Sequence, residues 1–172
     1  YNYLLARENL TDHLDINEKK DKIRQRLWKI RAKKVILATG SMERPLIFNN
    51  NDRPGIMLSS SIKKYIDFYG VKCGQKISLF TNNDSIYETA ISLNNSGVSV
   101  NSIVDIRDKT NSLIVKQAEK LGIKVHWKSS IVNTNGYKKI NSIEIMQLSD
   151  DGNDVVGKKI KEECDCLGIS GG

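Results

Sequence analysis

An α/β fold is predicted, a Rossmann-like βαβαβ unit continued by an antiparallel β meander. Between residues 76 and 127 apolar β runs alternate with helical patterns, which implies parallel strands joined by right-handed crossovers. Gly97 and Gly122 stand where the two helical patterns stop, as glycine does past a helix end. Beyond residue 129 the β runs are separated by Asn135-Gly136 and Asp150-Asp151-Gly152-Asn153, turn signals that suit hairpins and not crossovers.

Residues 1–5 and 26–32 are short β-like runs, and in the second Leu27, Ile30 and Ala32 alternate imperfectly with basic residues, the pattern of an edge or half-exposed strand. Lys19, Lys20, Lys22, Arg24 and Arg26 are interleaved with Glu18 and Asp21, which reads as a solvated hairpin or loop. Residues 35–38 form an unbroken apolar run into Thr39-Gly40, the pattern of a strand buried on both faces. A long loop with Pro45 and Pro54 follows. Ser59, Ser60 and Ser61 offer N-caps for a helix to about Tyr69, with Ile62, Tyr65, Ile66 and Tyr69 at helical spacing and Gly70 as C-cap.

The next elements are a strand over 76–80, a helix over 85–95, a strand over 98–104, a helix over 111–121 and a strand over 123–127. The meander takes 130–134, 140–148 and 158–164, and a last apolar strand over 166–169 ends at Ser170-Gly171-Gly172.

The 172 residues are 39% hydrophobic and 27% charged, enough for a sizeable core without covalent staples. No apolar run reaches the roughly 18–20 residues that cross a bilayer, and the N-terminus lacks a signal-peptide layout. A cytoplasmic address without a membrane partner is the expectation. The whole excess of the +7 net charge falls in the first 75 residues, but few aromatics accompany it, so a solvated face is preferred to a nucleic-acid surface. Cys73, Cys164 and Cys166 are expected as free thiols, the last two sharing one strand face. With only His13 and His126 available, a histidine-based site falls short of the four donors of a structural zinc, and no metal site is expected.

A βαβ unit binds a dinucleotide when G-x-G-x-x-G lets backbone approach the pyrophosphate at a helix N-terminus. Here all three positions, Thr81, Asn83 and Ile86, carry side chains, and Asp84 adds negative charge. Asp105, at the end of the second strand, stands where an acid accepts the ribose hydroxyl; a turn-forming acid is the alternative. The unit is expected to keep the Rossmann shape without tight dinucleotide affinity. No Ser-His-Asp set, Gly-Lys-Ser/Thr loop or H-E-x-x-H occurs, and no catalytic residue is assigned.

The apolar run ending Ala38-Thr39-Gly40, the βαβ unit, the meander and the closing glycine-ended strand resemble, in that order, flavoproteins with two dinucleotide-binding domains. More closely, residues 26–32, 36–45, the Asn-Asn-Asp-Arg-Pro-Gly run in 50–58 and residues 81–85 are similar to the alpha subunits of heterotetrameric sarcosine oxidases. The resemblance implies that residues 1–70 are part of an incomplete first dinucleotide-binding domain with its connecting loop and helix. Residues 71–163 would be an inserted second domain, and 164–172 a strand returning to the first. A start at Tyr1 and an end at Gly171-Gly172 suit an internal piece of a longer chain.

The family's assembly oxidatively demethylates sarcosine to glycine, passes the one-carbon unit to tetrahydrofolate and reduces oxygen to peroxide. Sarcosine is oxidised mainly on the beta subunit. FAD and FMN sit there and at its interface with alpha, while alpha holds NAD. The resemblance places Thr39, Gly40, Ser170, Gly171 and Gly172 at the rim of a dinucleotide site, where small residues let backbone approach a cofactor; tight strand-end turns are the alternative. The piece itself is expected to bind no cofactor, to be inactive alone and to have the other oxidase subunits as partners. Glu43, Arg44 and Arg53, in the Pro-containing loop, are candidate contact residues. A non-catalytic Rossmann-like interaction or scaffold module is the competing reading.

Overall fold

The computed structural model describes residues 2–172, which fall into two units, Tyr1–Ser41 and Met42–Gly172. Tyr1, at the start of the expected run 1–5, lies outside the described residues.

In the first unit β1 (Tyr3–Asn9) and β2 (Gln25–Arg31) form an antiparallel hairpin, with Tyr3 opposite Arg31 and Asn9 opposite Gln25. The short helix α1 (Ile16–Lys19) lies in the connection, so the charged stretch is the solvated hairpin its composition predicts. Glu8 ties the strands together: its carboxylate accepts from Trp28 Nε1 at 2.9 Å, and the Arg26 guanidinium lies over the Trp28 ring. The strand expected over residues 35–38 is absent, and Ile36 and Leu37 are 91% and 80% exposed. A strand buried on both faces needs hydrogen-bonded neighbours, and among the described residues none pairs with this run.

The second unit is built on a five-stranded parallel sheet in the order β3-β10-β4-β5-β6. Its strands are β3 (Ile56–Leu58), β4 (Lys76–Thr81), β5 (Ser99–Asp105), β6 (Val125–His126) and β10 (Cys166–Ser170). The helices α2 (Ser59–Tyr69), α3 (Ser85–Asn95) and α4 (Leu113–Lys120) supply the crossovers. Gly70, Gly97 and Gly122 have left-handed φ at or just beyond the helix ends, as their positions predict. An antiparallel meander, β7 (Ser129–Asn135), β8 (Ser142–Leu148) and β9 (Val155–Glu163), follows β6.

Alternation of side chains along each strand makes two cores. Ile77 and Leu79 of β4 and Ile103 of β5 pack with Ile62, Ile86, Tyr87, Leu93 and Val115 from the helices. On the other face Phe80, Val104, Leu167 and Ile169 pack with Ile131, Ile143 and Ile145 of the meander.

Two expectations are corrected here. The strand expected to leave for the first domain, residues 164–172, instead lies inside this sheet, with Cys166 to Ser170 in register with Ile77 to Thr81. Its apolar residues on both faces find cover only at a position flanked by strands, and β3 and β4 supply it. A Cβ at Gly168 would come within 2.6 Å of Leu79 and 2.8 Å of Ile62, so this glycine lets α2 settle onto the sheet. Nor do Cys164 and Cys166 share a face. Cys166 enters the helix-side core and Cys164 the meander-side core, because Asp165 between them turns to accept the Gln75 and Lys76 amides. Burial pushes both thiols up to about 12.

The Asn-Asn-Asp-Arg-Pro-Gly run ties the edge of the sheet to the meander. Asn50 Nδ2 donates to Asn133 Oδ1 at 2.9 Å, the Asn50 carbonyl accepts from Thr134 Oγ1, and Arg53 donates to the Gly136 carbonyl. The Pro54 carbonyl accepts the Ile140 amide, and that of Gly55 the Leu167 amide. Gly55 has φ +96, and a Cβ there would stand 2.7 Å from Ile140 Cγ2.

Opposite this tie, Glu162 of β9 reaches the parallel strands. Its Oε1 accepts from Ser78 Oγ at 2.8 Å and Ser102 Oγ at 2.6 Å, and its Oε2 lies 3.7 Å from His126 Nε2. Burial raises the Glu162 carboxyl, but His126 and the two hydroxyls outweigh it and hold the group below the usual carboxylate range.

Glu162→Ala is expected to cost about 2–3 kcal/mol at neutral pH, the order of hydrogen bonds to a buried charge, as read by urea denaturation. A depressed carboxyl adds stability above its unfolded pKa and loses it as pH falls through its folded one. The deficit of the variant therefore shrinks in acid. Gly55→Ala is expected to destabilise by about 1–3 kcal/mol through its backbone angle alone, seen in the same titration.

Candidate nucleotide site at the carboxyl edge of the parallel sheet

In an open α/β sheet a ligand crevice forms outside the carboxyl ends of the strands, where the strand order reverses. Here that point lies between β4, which is followed by β5 and β6, and β10, which adjoins β3. Its walls are the loop Thr81-Asn82-Asn83-Asp84 and the strand end Ser170-Gly171-Gly172. Asp105 ends the neighbouring strand, so four of the six expected residues gather around one crevice. Thr39 and Gly40 belong to the first unit, where both are exposed and Gly40 has φ +69.

The loop after β4 satisfies itself. Asn83 N donates to Thr81 Oγ1 at 2.9 Å, and Asn83 Oδ1 accepts the Ser85 amide at 3.0 Å, capping α3 where a phosphate oxygen would sit. Asn83 Nδ2 donates to Ser170 Oγ at 3.0 Å, and Asn82 Nδ2 to the Gly171 carbonyl at 3.1 Å. These bonds span the crevice from one wall to the other. Ile86, at the third glycine position of the fingerprint, is fully buried in the helix-side core.

Asp105 is fully buried. Its Oδ1 accepts from the Arg107 amide and Nε at 3.0 Å each, and its Oδ2 from Arg107 Nη2 at 2.8 Å and Tyr87 Oη at 2.9 Å. Arg107 Nη2 also donates to Asp84 Oδ1 at 2.8 Å, bridging the two carboxylates. The Asp105 bond, joined by Asp84, raises the Arg107 guanidinium further above its ordinary value. Burial drives the Tyr87 phenol well up, and the adjoining Asp105 charge adds to this. Tyr87 is in turn stacked on Trp127, centroids 6.2 Å apart.

Glu43 of the Pro-containing loop caps α2. Its Oε1 accepts from Ser59 Oγ at 2.7 Å and its Oε2 from the Ser60 amide at 2.8 Å, so a carboxylate from outside the helix does what the three serines were expected to do. Burial raises this carboxyl, and bonds from Ser170, Ser59 and Ser60 outweigh it and leave it lowered. Arg44 exchanges backbone bonds with the last residues: its amide donates to Gly172 O at 2.9 Å, and Gly171 N donates to its carbonyl at 2.7 Å. A Cβ at Gly171 would lie 2.9 Å from that carbonyl. The close approach this glycine permits is thus to the chain's own backbone.

Sequence reasoning missed Arg107, Tyr87 and the capping role of Glu43. An arginine two residues beyond a strand-end acid was the available signal for Arg107; nothing local marked Tyr87. Among the described residues no group of three or more His, Cys, Asp or Glu side chains is placed to hold a metal ion, and no helix is long and apolar enough to cross a membrane.

Glu43→Ala is expected to lower the unfolding free energy by about 1–2 kcal/mol, the range for a lost helix cap, in urea denaturation at neutral pH. Because the Glu43 carboxyl is depressed, its contribution is present above the unfolded pKa and lost as pH falls through the folded one. The difference closes in acid.

No family model matches the chain. Three curated proteins do, each named sarcosine oxidase subunit alpha. Those of Corynebacterium sp. strains U-96 and P-1 are 39% and 38% identical over 173 residues, 99% of this chain. That of Rhizobium meliloti (strain 1021) is 39% identical over 127 residues, 70% of this chain. The chain spans 18% of the length of the two Corynebacterium proteins and 12% of the Rhizobium one. Among solved structures, thioredoxin reductase of T. acidophilum superposes with a TM-score of 0.63 at 20% identity, over 84% of this chain and 45% of that one. An FAD-dependent pyridine nucleotide-disulphide oxidoreductase from Desulfovibrio vulgaris reaches 0.55 at 17% identity, over 84% and 36%. At such identities these two show the fold: a parallel sheet with an antiparallel meander, shared with flavin and pyridine-nucleotide oxidoreductases. By sequence, the chain is a relative of the sarcosine oxidase alpha subunits and matches one segment of them along nearly its whole length.

Proposed function

We propose that the chain is part of the alpha subunit of a hetero-oligomeric sarcosine oxidase, an oxidoreductase that demethylates sarcosine to glycine, hands the one-carbon unit to tetrahydrofolate and forms peroxide. The observation that carries this reading is the 39% identity along 99% of the chain, far beyond what a shared fold produces at 20%. In this reading FAD and FMN belong to the wider complex and NAD to the complete alpha subunit. The other subunits are the partners, in keeping with the word alpha in the relatives' names.

The role we assign to this segment is architectural. Of the residues expected at a dinucleotide rim, Thr39 and Gly40 are exposed and free to face a cofactor in the complete subunit. Ser170, Gly171 and Asp105 are committed to bonds within the chain. That commitment also favours the second reading, a Rossmann-like interaction module without a cofactor of its own.

Sarcosine-dependent peroxide formation separates the two readings. The longer protein containing this chain, purified with its co-expressed partner subunits, is expected to consume oxygen on addition of sarcosine and to release formaldehyde or charge tetrahydrofolate. The 172-residue chain alone is expected to do neither. A longer protein that forms stable complexes but leaves sarcosine untouched decides for the interaction module.

A further inference from the structure

We propose that the Rossmann-like domain of this chain is closed to dinucleotides by its own side chains, with Arg107 acting as the internal ligand of the position that would otherwise take a ribose. Dinucleotide recognition at such a crevice uses open helix amides, a loop without side chains, and either an acid with spare acceptor capacity for a ribose 2′-hydroxyl or an uncommitted arginine for a 2′-phosphate. The chain meets none of the three, and each failure is an occupied position.

The Ser85 amide at the start of α3 is taken by Asn83 Oδ1 at 3.0 Å, and the Asp84 carboxylate stands beside it. The path a pyrophosphate would follow is crossed by Asn83 Nδ2 on its way to Ser170 Oγ and by Asn82 Nδ2 on its way to the Gly171 carbonyl.

Asp105 is the decisive group. An ionised carboxylate offers about four acceptor sites, and all are used: Arg107 N and Nε on Oδ1, Arg107 Nη2 and Tyr87 Oη on Oδ2. With the carboxylate fully buried, a ribose hydroxyl finds neither a free lone pair nor a route to one. Arg107 cannot leave cheaply, because its departure strands a buried charge at Asp105 and removes the partner of Asp84. The planar guanidinium spans both carboxylates at once, which a lysine ammonium does not reproduce. Arg107 is thus a positioning residue that holds the start of α3, at Asp84, to the end of β5, at Asp105.

The tests use the full 172-residue chain. Calorimetric titration with NAD, and separately with FAD, is expected to give no saturable heat that depends on this crevice. Saturable binding that Asp105→Ala abolishes overturns the proposal, whereas binding unchanged by Asp105→Ala lies elsewhere on the chain and agrees with it. Arg107→Ala is expected to lower the thermal midpoint, and millimolar guanidinium chloride to raise it back toward that of the parent, while equal sodium chloride does not and the parent is unaffected. A midpoint unchanged by the substitution, or equal recovery with both salts, overturns the role of Arg107. Should Arg107→Ala fail to fold, Arg107→Lys keeps the charge without the fork and is expected to fold with a lower midpoint; undiminished stability in that variant overturns the proposal. None of these readouts depends on whether the longer protein oxidises sarcosine, so the two readings fail separately.

Discussion

The placement of β10 between β3 and β4 is the constraint on which the second unit depends. The last strand of the chain pairs with Ile56 to Leu58 on one side and with Ile77 to Thr81 on the other, so the sheet is not continuous until the C-terminal residues are in place. Everything from β4 to β9 is an excursion that begins and ends beside the same strand. Contacts of such high sequence separation cost loop-closure entropy before they return any packing energy. The apolar residues that return it, Leu167 and Ile169 on the meander side and Cys166 on the helix side, are all buried.

That topology also fixes where polar groups collect. The strand ends Thr81, Asp105 and Ser170 are fully or almost fully buried, and a buried polar group without a partner costs more than a hydrogen bond gains. In a nucleotide-binding sheet part of this demand is met by the ligand. Here it is met from within, by Asn82 and Asn83 across the crevice, Arg107 and Tyr87 around Asp105, and Glu43 over the start of α2. The same logic operates farther back along β4 and β5, on the side facing the meander, where Glu162 accepts from Ser78 and Ser102. Each of these strand ends thus has a polar partner supplied by the chain itself.

The sequence disclosed most of this architecture where local chemistry settles it. Helix α3 occupies the predicted 85–95, the meander turns at Asn135-Gly136 and Gly152, and the broken glycine loop is visible at a glance. It misled wherever a run of apolar residues had to be assigned a neighbour. Residues 35–38 and 166–169 look alike as buried strands, but the second finds flanking strands among the described residues and the first does not. The three-residue strand β3 falls inside the predicted loop because it is too short for any periodicity to register. At the crevice, Asp105 and the C-terminal glycines are legible by position, while the groups that engage Asp105, Tyr87 and Arg107, lie 18 and 2 residues from it and carry no motif.

The side chains at the three positions of the glycine fingerprint each have a structural role in this fold. Thr81 closes the loop on Asn83, Asn83 caps α3 and crosses to Ser170, and Ile86 packs in the helix-side core with Leu79 and Tyr87, so two of the positions support one another and the third acts through the core. Glycine at 86 would leave a cavity costing on the order of 2–5 kcal/mol, as large-to-small core changes do, before any helix penalty is added. Glycine at 83 would remove the cap on the Ser85 amide and the Nδ2 bond to Ser170. Restoring the fingerprint would still leave Asp105 saturated by Arg107 and Tyr87. The contacts that fill the crevice thus lie in the loop, the core and the strand ends, and a change at one of these places leaves the other two in position.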